Sequence, residues 1–344
     1  MRLAIDVMGG DHAPDGILKG CIEALSVIAP DDTLVLVGDR GVITEILAER
    51  GVSDPRLEIE HASEVIGMDE APAKAVRSKT DSSIVKLARL GSVRGGQDVD
   101  GVLSAGNTGA CVSAAHMHMK RLPGVHRPGI CVTIPAFAGP VVMCDAGANP
   151  KPRATHLWQY ALMAEAYARS IHGIKNPRIG LMNIGAEEAK GTGIIKETSE
   201  LLRHTPGVNY IGYIEGRDFF GGVADVVATD GFVGNTVLKM AEGLAKSLFD
   251  AIAHEIMAID PTLAIQFEPV VKQIYAKNDY HEYGGAPLMG VNGTFVIAHG
   301  SSQPKTIKAA IMNTKAFVTH KLNEAIVRRL SEVAAIAEPE REAV

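Results

Sequence analysis

Apolar residues in this chain come in short runs, each closed by glycine and polar residues and then followed by a stretch of helical period. Leu3-Ala4-Ile5-Asp6-Val7 is the first, closed by Met8-Gly9-Gly10-Asp11-His12-Ala13-Pro14-Asp15 and followed by an amphipathic helix from Gly16 to about Ile28. Thr33 to Val37 repeats the pattern, with Gly38-Asp39 behind it and a helix to Glu49. Gly101–Ser104, Val141–Asp145, Ile179–Met182, Val226–Thr229 and Phe295–Ala298 read as further strands. Strand alternating with helix predicts an α/β fold, doubly wound around a mostly parallel sheet with helices on both faces. Ala71 to Leu90 reads as helix in two pieces, broken near Asp81-Ser82-Ser83, where Asp81 or Ser82 can cap the second piece.

The longest pattern follows Val226-Val227-Ala228-Thr229. A turn, Asp230-Gly231-Phe232-Val233-Gly234-Asn235, leads into a helix of about 22 residues, or about 33 Å. Val237, Leu238, Ala241, Leu244, Leu248, Ile252 and Ile256 fall on one of its faces. A strand feeding a helix through such a turn suits an anion, because the first helical N–H groups lack internal partners. The plainer alternative makes Asn235 an ordinary helix cap. Pro261 breaks the pattern and Glu268 to Ala276 returns, so 236–281 reads as a protruding helical hairpin. Tyr283 to Gly290 reads as a loop and a C-terminal helix closes the fold. With no low-complexity linker or repeat, 1–337 is expected to be a single catalytic α/β/α domain and 338–344 a frayed tail.

Composition narrows the class. Hydrophobic residues at 46% and charged residues at 22% fit a soluble globular enzyme, and a net charge of −6 argues against a nucleic-acid binder. Cys21, Cys111, Cys131 and Cys144 form no C-x-x-C pair and suit buried thiols in a reducing cytosol. Asp6 interrupts the N-terminal apolar run, so no signal peptide is expected, and no apolar run is long enough to span a membrane. Basic residues cluster at Lys74, Arg77, Lys79, Lys86 and Arg89, and again at Lys120, Arg121, His126 and Arg127. Each is either a solvated face or a docking surface for an acidic partner. The hairpin tip 257–265 has a single charge, which suits either a dimer contact or the bilayer interface.

Six glycine-rich turns, behind Val7, Ser104, Cys144, Met182, Thr229 and Ala298, are the candidate site. Ligands of open parallel sheets bind outside the carboxyl ends of the strands, so these turns should converge there. No G-x-x-x-x-G-K-[ST] cradle, G-x-G-x-x-G fingerprint or G-x-S-x-G elbow is present, which argues against a nucleotide, a dinucleotide or a serine nucleophile. His12 and His299 sit at strand ends, where each either stabilises its loop or touches substrate. Asp6 and Asp11 suggest a metal only weakly, since acids at strand ends also fix glycine turns.

The strings Ile5-Asp6-Val7-Met8-Gly9-Gly10-Asp11-His12-Ala13-Pro14, Ser104-Ala105-Gly106-Asn107-Thr108-Gly109-Ala110, Asp145-Ala146-Gly147-Ala148-Asn149, Asn183-Ile184-Gly185, Glu187-Glu188 with Lys190-Gly191, Thr229-Asp230-Gly231-Phe232-Val233-Gly234-Asn235 and Tyr283-Gly284-Gly285-Ala286-Pro287-Leu288 resemble one bacterial family throughout. It is the acyl-carrier-protein:phosphate acyltransferase family of membrane phospholipid synthesis. The resemblance implies a fold like the isocitrate and isopropylmalate dehydrogenases and the phosphate acetyltransferases, a homodimer, no redox cofactor and no metal. It implies transfer of a long-chain acyl group from acyl-carrier protein to inorganic phosphate, giving an acyl phosphate that a membrane acyltransferase uses on glycerol 3-phosphate. Lys190 and Asn235 hold family positions implied to be catalytic. The substrate and phosphate site is expected to comprise Asp6, Gly9, Gly10, Asp11, His12, Asn107, Thr108, Gly109, Asp145, Gly147, Asn149, Asn183, Gly185, Asp230, Gly231 and His299. Carrier protein is expected to dock on Arg77, Lys79, Lys120, Arg121 and Arg127, and the membrane surface on 257–265 at the inner face of the cell membrane. A phosphate acetyltransferase acting on acyl-CoA is the alternative, with a decarboxylating dehydrogenase or a silent membrane-surface scaffold behind it.

The chemistry fits these residues on its own terms. Phosphate arrives already charged, so the task is to gather an anion beside a thioester carbonyl and stabilise the oxyanion and the departing thiolate. Lys190 next to a thiolate of ordinary pKa near 8.5 improves the leaving group. The Asn235 amide can donate to phosphate or oxyanion. Thioester and acyl phosphate are both activated, so no ATP is required.

Overall fold

The computed structural model describes residues 1–93, 98–136, 138–259, 261–278 and 284–337. The tail 338–344, position 260 of the hairpin tip, the hairpin's last positions 279–281 and Tyr283 lie outside the described residues. The strands are β1 (Arg2–Asp6), β2 (Thr33–Gly38), β3 (Leu57–His61), β4 (Gly101–Ser104), β5 (Gly129–Ile134) and β6 (Val141–Cys144). They continue with β7 (Ile179–Met182), β8 (Tyr210–Ile214), β9 (Val226–Ala228), β10 (Ala286–Met289) and β11 (Thr294–Ile297). The helices are α1 (Asp15–Ala24), α2 (Arg40–Glu49), α3 (Pro72–Ser78), α4 (Ser83–Leu90), α5 (Thr108–Ala114) and α6 (Ala154–His172). After them come α7 (Gly193–Arg203), α8 (Gly231–Ile259), α9 (Pro261–Asn278), α10 (Pro304–Thr319) and α11 (Leu322–Ala337).

All of these strands join one sheet in the order β3-β2-β1-β4-β11-β10-β5-β6-β9-β7-β8. Strand alternation divides the core between its two faces. Leu3 and Ile5 of β1 share one buried cluster with Leu18 of α1, Tyr160 of α6 and Ile311 of α10, while Ala4 between them belongs to a second with Ile84 of α4 and Cys111 of α5. The expected doubly wound sheet is thus present, and the four cysteines are buried thiols.

The sequence pattern does not mark β3, β5 or β8 and shows β10 only as a loop, and of these β5 and β10 decide where the site forms. β10 is antiparallel to both β11 and β5, and β5 is antiparallel to β6. Three reversals in a row make the block β3-β2-β1-β4-β11 run opposite to the block β6-β9-β7-β8. Ala286 pairs with Ile297, Leu288 with Ile130, and Cys131, the next residue of β5, with Cys144. The last residues of β6 and β11 therefore lie at nearly the same height in the sheet, reached from opposite directions. The turns after β1, β4 and β11 and the turn after β6 thus meet from opposite directions, where the expectation set them side by side at the carboxyl edge of one parallel sheet.

Three local expectations are corrected. Ser82 holds the N-cap position of α4, but neither its side chain nor that of Asp81 caps the helix: Asp81 accepts from the N–H and hydroxyl of Ser63, and the Ser82 hydroxyl donates to the Lys79 carbonyl. α8 starts at Gly231 and runs 29 residues, so Asn235 lies inside it and is not its cap. α9 starts at Pro261, where a missing N–H costs nothing. Val237 and Leu238 of α8 rest against the core, but the same face further along is bare, with Leu244 71% and Leu248 56% exposed.

Candidate active site

The turn after β1 is braced from below by Asp6, which is fully buried. Its Oδ2 accepts from the Ser104 hydroxyl at 2.7 Å and its Oδ1 from the Met8 N–H at 3.1 Å. Burial pushes the Asp6 carboxyl up and these hydrogen bonds pull it down. Ser104 in turn accepts from Gly106 N–H at 3.0 Å, which locks the β4 turn to the β1 turn. Gly10 holds φ of +110°, a left-handed conformation that glycine adopts without strain, and the next N–H, of Asp11, donates to the Gly300 carbonyl at 2.8 Å. Three turns from β1, β4 and β11 are thereby tied together. Asn107 caps α5 by accepting from Ala110 N–H, and its amide donates to the carbonyls of Gly67, Met68 and Glu70.

The opposed block contributes the turn after β6. Asp145 is buried, and its two oxygens accept from the N–H groups of Ile130, Gly147, Ala148 and Asn149 at 2.9, 3.2, 3.0 and 2.6 Å. Burial raises this carboxyl while the four donors oppose the rise. Asn149 donates to the Pro128 carbonyl and the Tyr160 hydroxyl. The start of α8 lies directly on this turn: a Cβ at Gly234 would come within 2.0 Å of the Asp145 carbonyl oxygen. The first N–H groups of α8 are all satisfied. Gly231 N–H donates to Asn149 O, those of Phe232 and Val233 to Asp230 Oδ1, and that of Gly234 to Asp230 O. Asp230 is the true cap, and it seals the helix start that the sequence suggested as an anion seat.

Between the blocks lies a cavity of about 440 Å³. Asp11, Gly147 and His299 from the turns after β1, β6 and β11, Thr108 at the start of α5 and Asn235 within α8 line it. Asn235 packs over Gly147, whose φ is +140°. Met68, Ile130, Val132, Leu238, Ile297 and Ala298 give it apolar walls, and Thr133, Lys239, Glu242, Ser302 and Thr306 add polar groups. Sequence reasoning missed this last set. Yet Asn235, Leu238, Lys239 and Glu242 fall at i, i+3, i+4 and i+7, so the helical period marks them once Asn235 is placed. Asp6, Asn107, Asp145, Asn149 and Asp230 brace the walls from behind. Gly9, Gly10, Gly109, Gly231 and His12 lie in the same turns without lining the cavity; His12 meets Gln303 at 2.8 Å.

Lys190 stands apart. It belongs to the turn after β7, outside the lining, and pairs with Glu187 at 2.7 Å with its side chain 48% exposed. Asn183 shapes that turn by donating to the carbonyls of Gly185 and Lys190.

A second hollow of about 610 Å³ gathers Arg77, His116, Lys120 and Arg121, with Met117, Leu122 and Val125 between them. It forms where a π-helical turn, Ala115–Met119, ends α5 and Lys120 takes φ of +68°. The two basic clusters of the sequence therefore meet in part. Lys79 is held away by Glu70 at 2.6 Å, and Arg127 is exposed outside the lining. Burial lowers the His116 pKa, and the cations Arg121, Arg127 and Lys120 lower it further.

Comparisons with known proteins give the fold and the family. The model of a family described as "Fatty acid synthesis protein" matches residues 1–325. Phosphate acyltransferase of Dictyoglomus turgidum is 43% identical over 336 residues, covering 97% of this chain and 98% of its own. That of Desulfitobacterium hafniense is 45% identical over 341 residues, covering 98% and 100%. Among solved structures, a phosphotransacetylase from Streptococcus pyogenes superposes with a TM-score of 0.62 at 16% identity, over 93% of this chain and 94% of that one. A branched-chain phosphotransacylase from Enterococcus faecalis gives 0.57 at 15% identity, over 92% and 99%. At such identities the structures speak to the fold alone, which is the fold expected. The sequence relatives say more: the chain belongs to the fatty acid synthesis protein family and, within it, to the phosphate acyltransferases.

Proposed function

We propose that the protein moves a long-chain acyl group from the thioester of acyl-carrier protein to inorganic phosphate, releasing an acyl phosphate and free carrier protein. The observation that carries this reading is the cavity between opposed strand ends, apolar along Ile130, Val132, Leu238 and Ile297 and polar at Asn235, His299 and Ser302. An acyl chain suits the first wall and a phosphoryl group the second. Asn235 donates to the carbonyl oxyanion and Lys190 stabilises the departing thiolate, leaving its exposed partner Glu187 at little cost. No general base is needed for a nucleophile that is already anionic. The test is deacylation of acyl-carrier protein with and without phosphate. Turnover is expected only with phosphate or arsenate, the acyl arsenate hydrolysing at once. Phosphate-independent turnover would make the protein a hydrolase, and preference for acyl-CoA would shift the donor.

The donor docks, in this reading, on the hollow around Arg77, Lys120 and Arg121, whose charge opposes that of the body as a whole. Arg77→Glu with Arg121→Glu is expected to raise the KM for acyl-carrier protein about tenfold, spare the KM for phosphate, and reduce the effect of added salt. Unchanged donor KM and salt response would move docking to another face.

The catalytic α/β/α unit 1–337 works as a homodimer at the inner face of the cell membrane, with the hairpin of α8 and α9 facing partner and bilayer. Two bare apolar regions support this: Met240, Leu244 and Leu248 along α8, and Ile259 and Ile265 at the tip, 76% and 72% exposed. No helix among the described residues is long and apolar enough to cross a membrane, so contact would be interfacial. Ile259→Asp with Ile265→Asp is expected to abolish binding to anionic liposomes while dimer and turnover persist. Loss of the dimer instead assigns the tip to the partner.

A further inference from the structure

An enzyme that uses phosphate as acyl acceptor has to hold a multiply charged anion, and two expected sources of positive potential are not in the cavity. The first N–H groups of α8 are consumed by Asp230 and Asn149, and Lys190 lies outside the lining. Two carboxylates, Asp11 and Glu242, line the same space and would repel phosphate. Among the described residues of the lining, Lys239 is the one lysine or arginine.

Lys239 is held in place from two sides. Glu242, one turn further along α8, takes its ammonium at 3.1 Å, and His299 Nε2 from the β11 turn meets the same nitrogen. The other ring nitrogen of His299 meets Ser301 Oγ at 2.7 Å, which fixes the ring. An ammonium has three donors, and these partners account for two, so one is left for the cavity. The β11 turn also brings into the lining Ser302, 1% exposed, whose hydroxyl has no hydrogen-bond partner among the described residues. A buried hydroxyl without a partner costs stability, and a ligand oxygen would repay it.

We propose that the Lys239 ammonium and the Ser302 hydroxyl seat the phosphate that accepts the acyl group, with Glu242 and His299 as positioning residues for the ammonium. The proposal rests on the acyl-to-phosphate reading above and adds where the nucleophile binds. Phosphate lies there between the Asn235 amide and the β11 turn, on the polar wall of the cavity, and any tetrahedral oxyanion of its size, arsenate included, takes the same seat.

Steady-state kinetics of the full chain with acyl-carrier protein, varying inorganic phosphate, test the seat. Lys239→Ala leaves Glu242 without its partner and the lining with two carboxylates and no lysine or arginine, so the KM for phosphate is expected to rise roughly 100-fold while that for the donor stays near wild type. Lys239→Arg keeps the charge and should recover part of the loss. Ser302→Ala should raise the KM for phosphate about fivefold without lowering Tm, because it removes a hydroxyl that the protein itself leaves unpaired. A merely structural serine would show the reverse, a lower Tm and an unchanged KM. Saturable phosphate dependence in the wild type together with normal phosphate KM in both alanine variants would overturn the seat and leave the reaction standing. Wild-type turnover that ignores phosphate would overturn the reaction, and the seat with it.

Discussion

Asp145→Ala is expected to unbuild the site and to cost the fold about 4 kcal/mol or more. Four backbone N–H groups, of Ile130, Gly147, Ala148 and Asn149, converge on this one carboxylate. A buried donor left without an acceptor costs about 1–3 kcal/mol, and water entering the gap returns only part of it. The loss also has a direction. Ile130 belongs to β5 and the other three to the turn after β6, so the carboxylate clips the turn to the strand that reverses the sheet. Gly147 carries Asn235 against it, and Gly231 and Gly234 press α8 onto the same turn. Asp145→Asn should cost about half as much. Its carbonyl oxygen can keep the three donors that Oδ1 serves, while its amide N–H would face the Asn149 N–H. Urea midpoints and kcat of the two variants check this. An alanine variant with a wild-type midpoint would mean that the turn is held by its packing and not by the carboxylate.

Much of this arrangement was legible in the sequence, and the residues that were not share a physical reason. Strand-helix alternation gave the layers, and the glycine turns gave most of the segments that surround the cavity. Their signal is local, spread over a few residues of apolar run and turn chemistry. β10 was read as a loop because Ala286-Pro287-Leu288-Met289 is short, holds a proline and follows two glycines. The reversal of the two blocks was invisible because strand direction is set by pairing partners remote in sequence. The start of α8 was misplaced because Gly231 and Gly234 look like turn residues. They are helical here, and glycine is required at 234 by the nearness of the Asp145 backbone and at 231 by the Asp145 carboxylate and the Asn149 backbone. Lys239 was passed over because a lysine on a helix ordinarily faces solvent. Its role depends on Glu242 and His299 lying on either side, and His299 is 60 residues away.

Lys190 and Lys239 should fail in different ways when removed. Lys190→Ala is expected to lower kcat roughly 100-fold or more with little change in the KM for phosphate, since in the proposed mechanism its charge is needed only as the thiolate departs. Lys239→Ala should act first on the KM for phosphate. The position of Lys190 outside the cavity lining is compatible with its role. The ion pair with Glu187 is exposed on both sides, such pairs contribute little, and a lysine stem can swing from one partner to another. Asn235→Ala should also lower kcat, because its amide sits over Gly147 inside the cavity, in place for the oxyanion role proposed for it. If Lys190 and Asn235 serve one transition state, the double variant should lose less than the product of the two single losses. Losses that multiply would place them at separate steps. Near-normal kcat in Lys190→Ala would hand the leaving group to another donor, and Lys239, already in the cavity, would be the first to test.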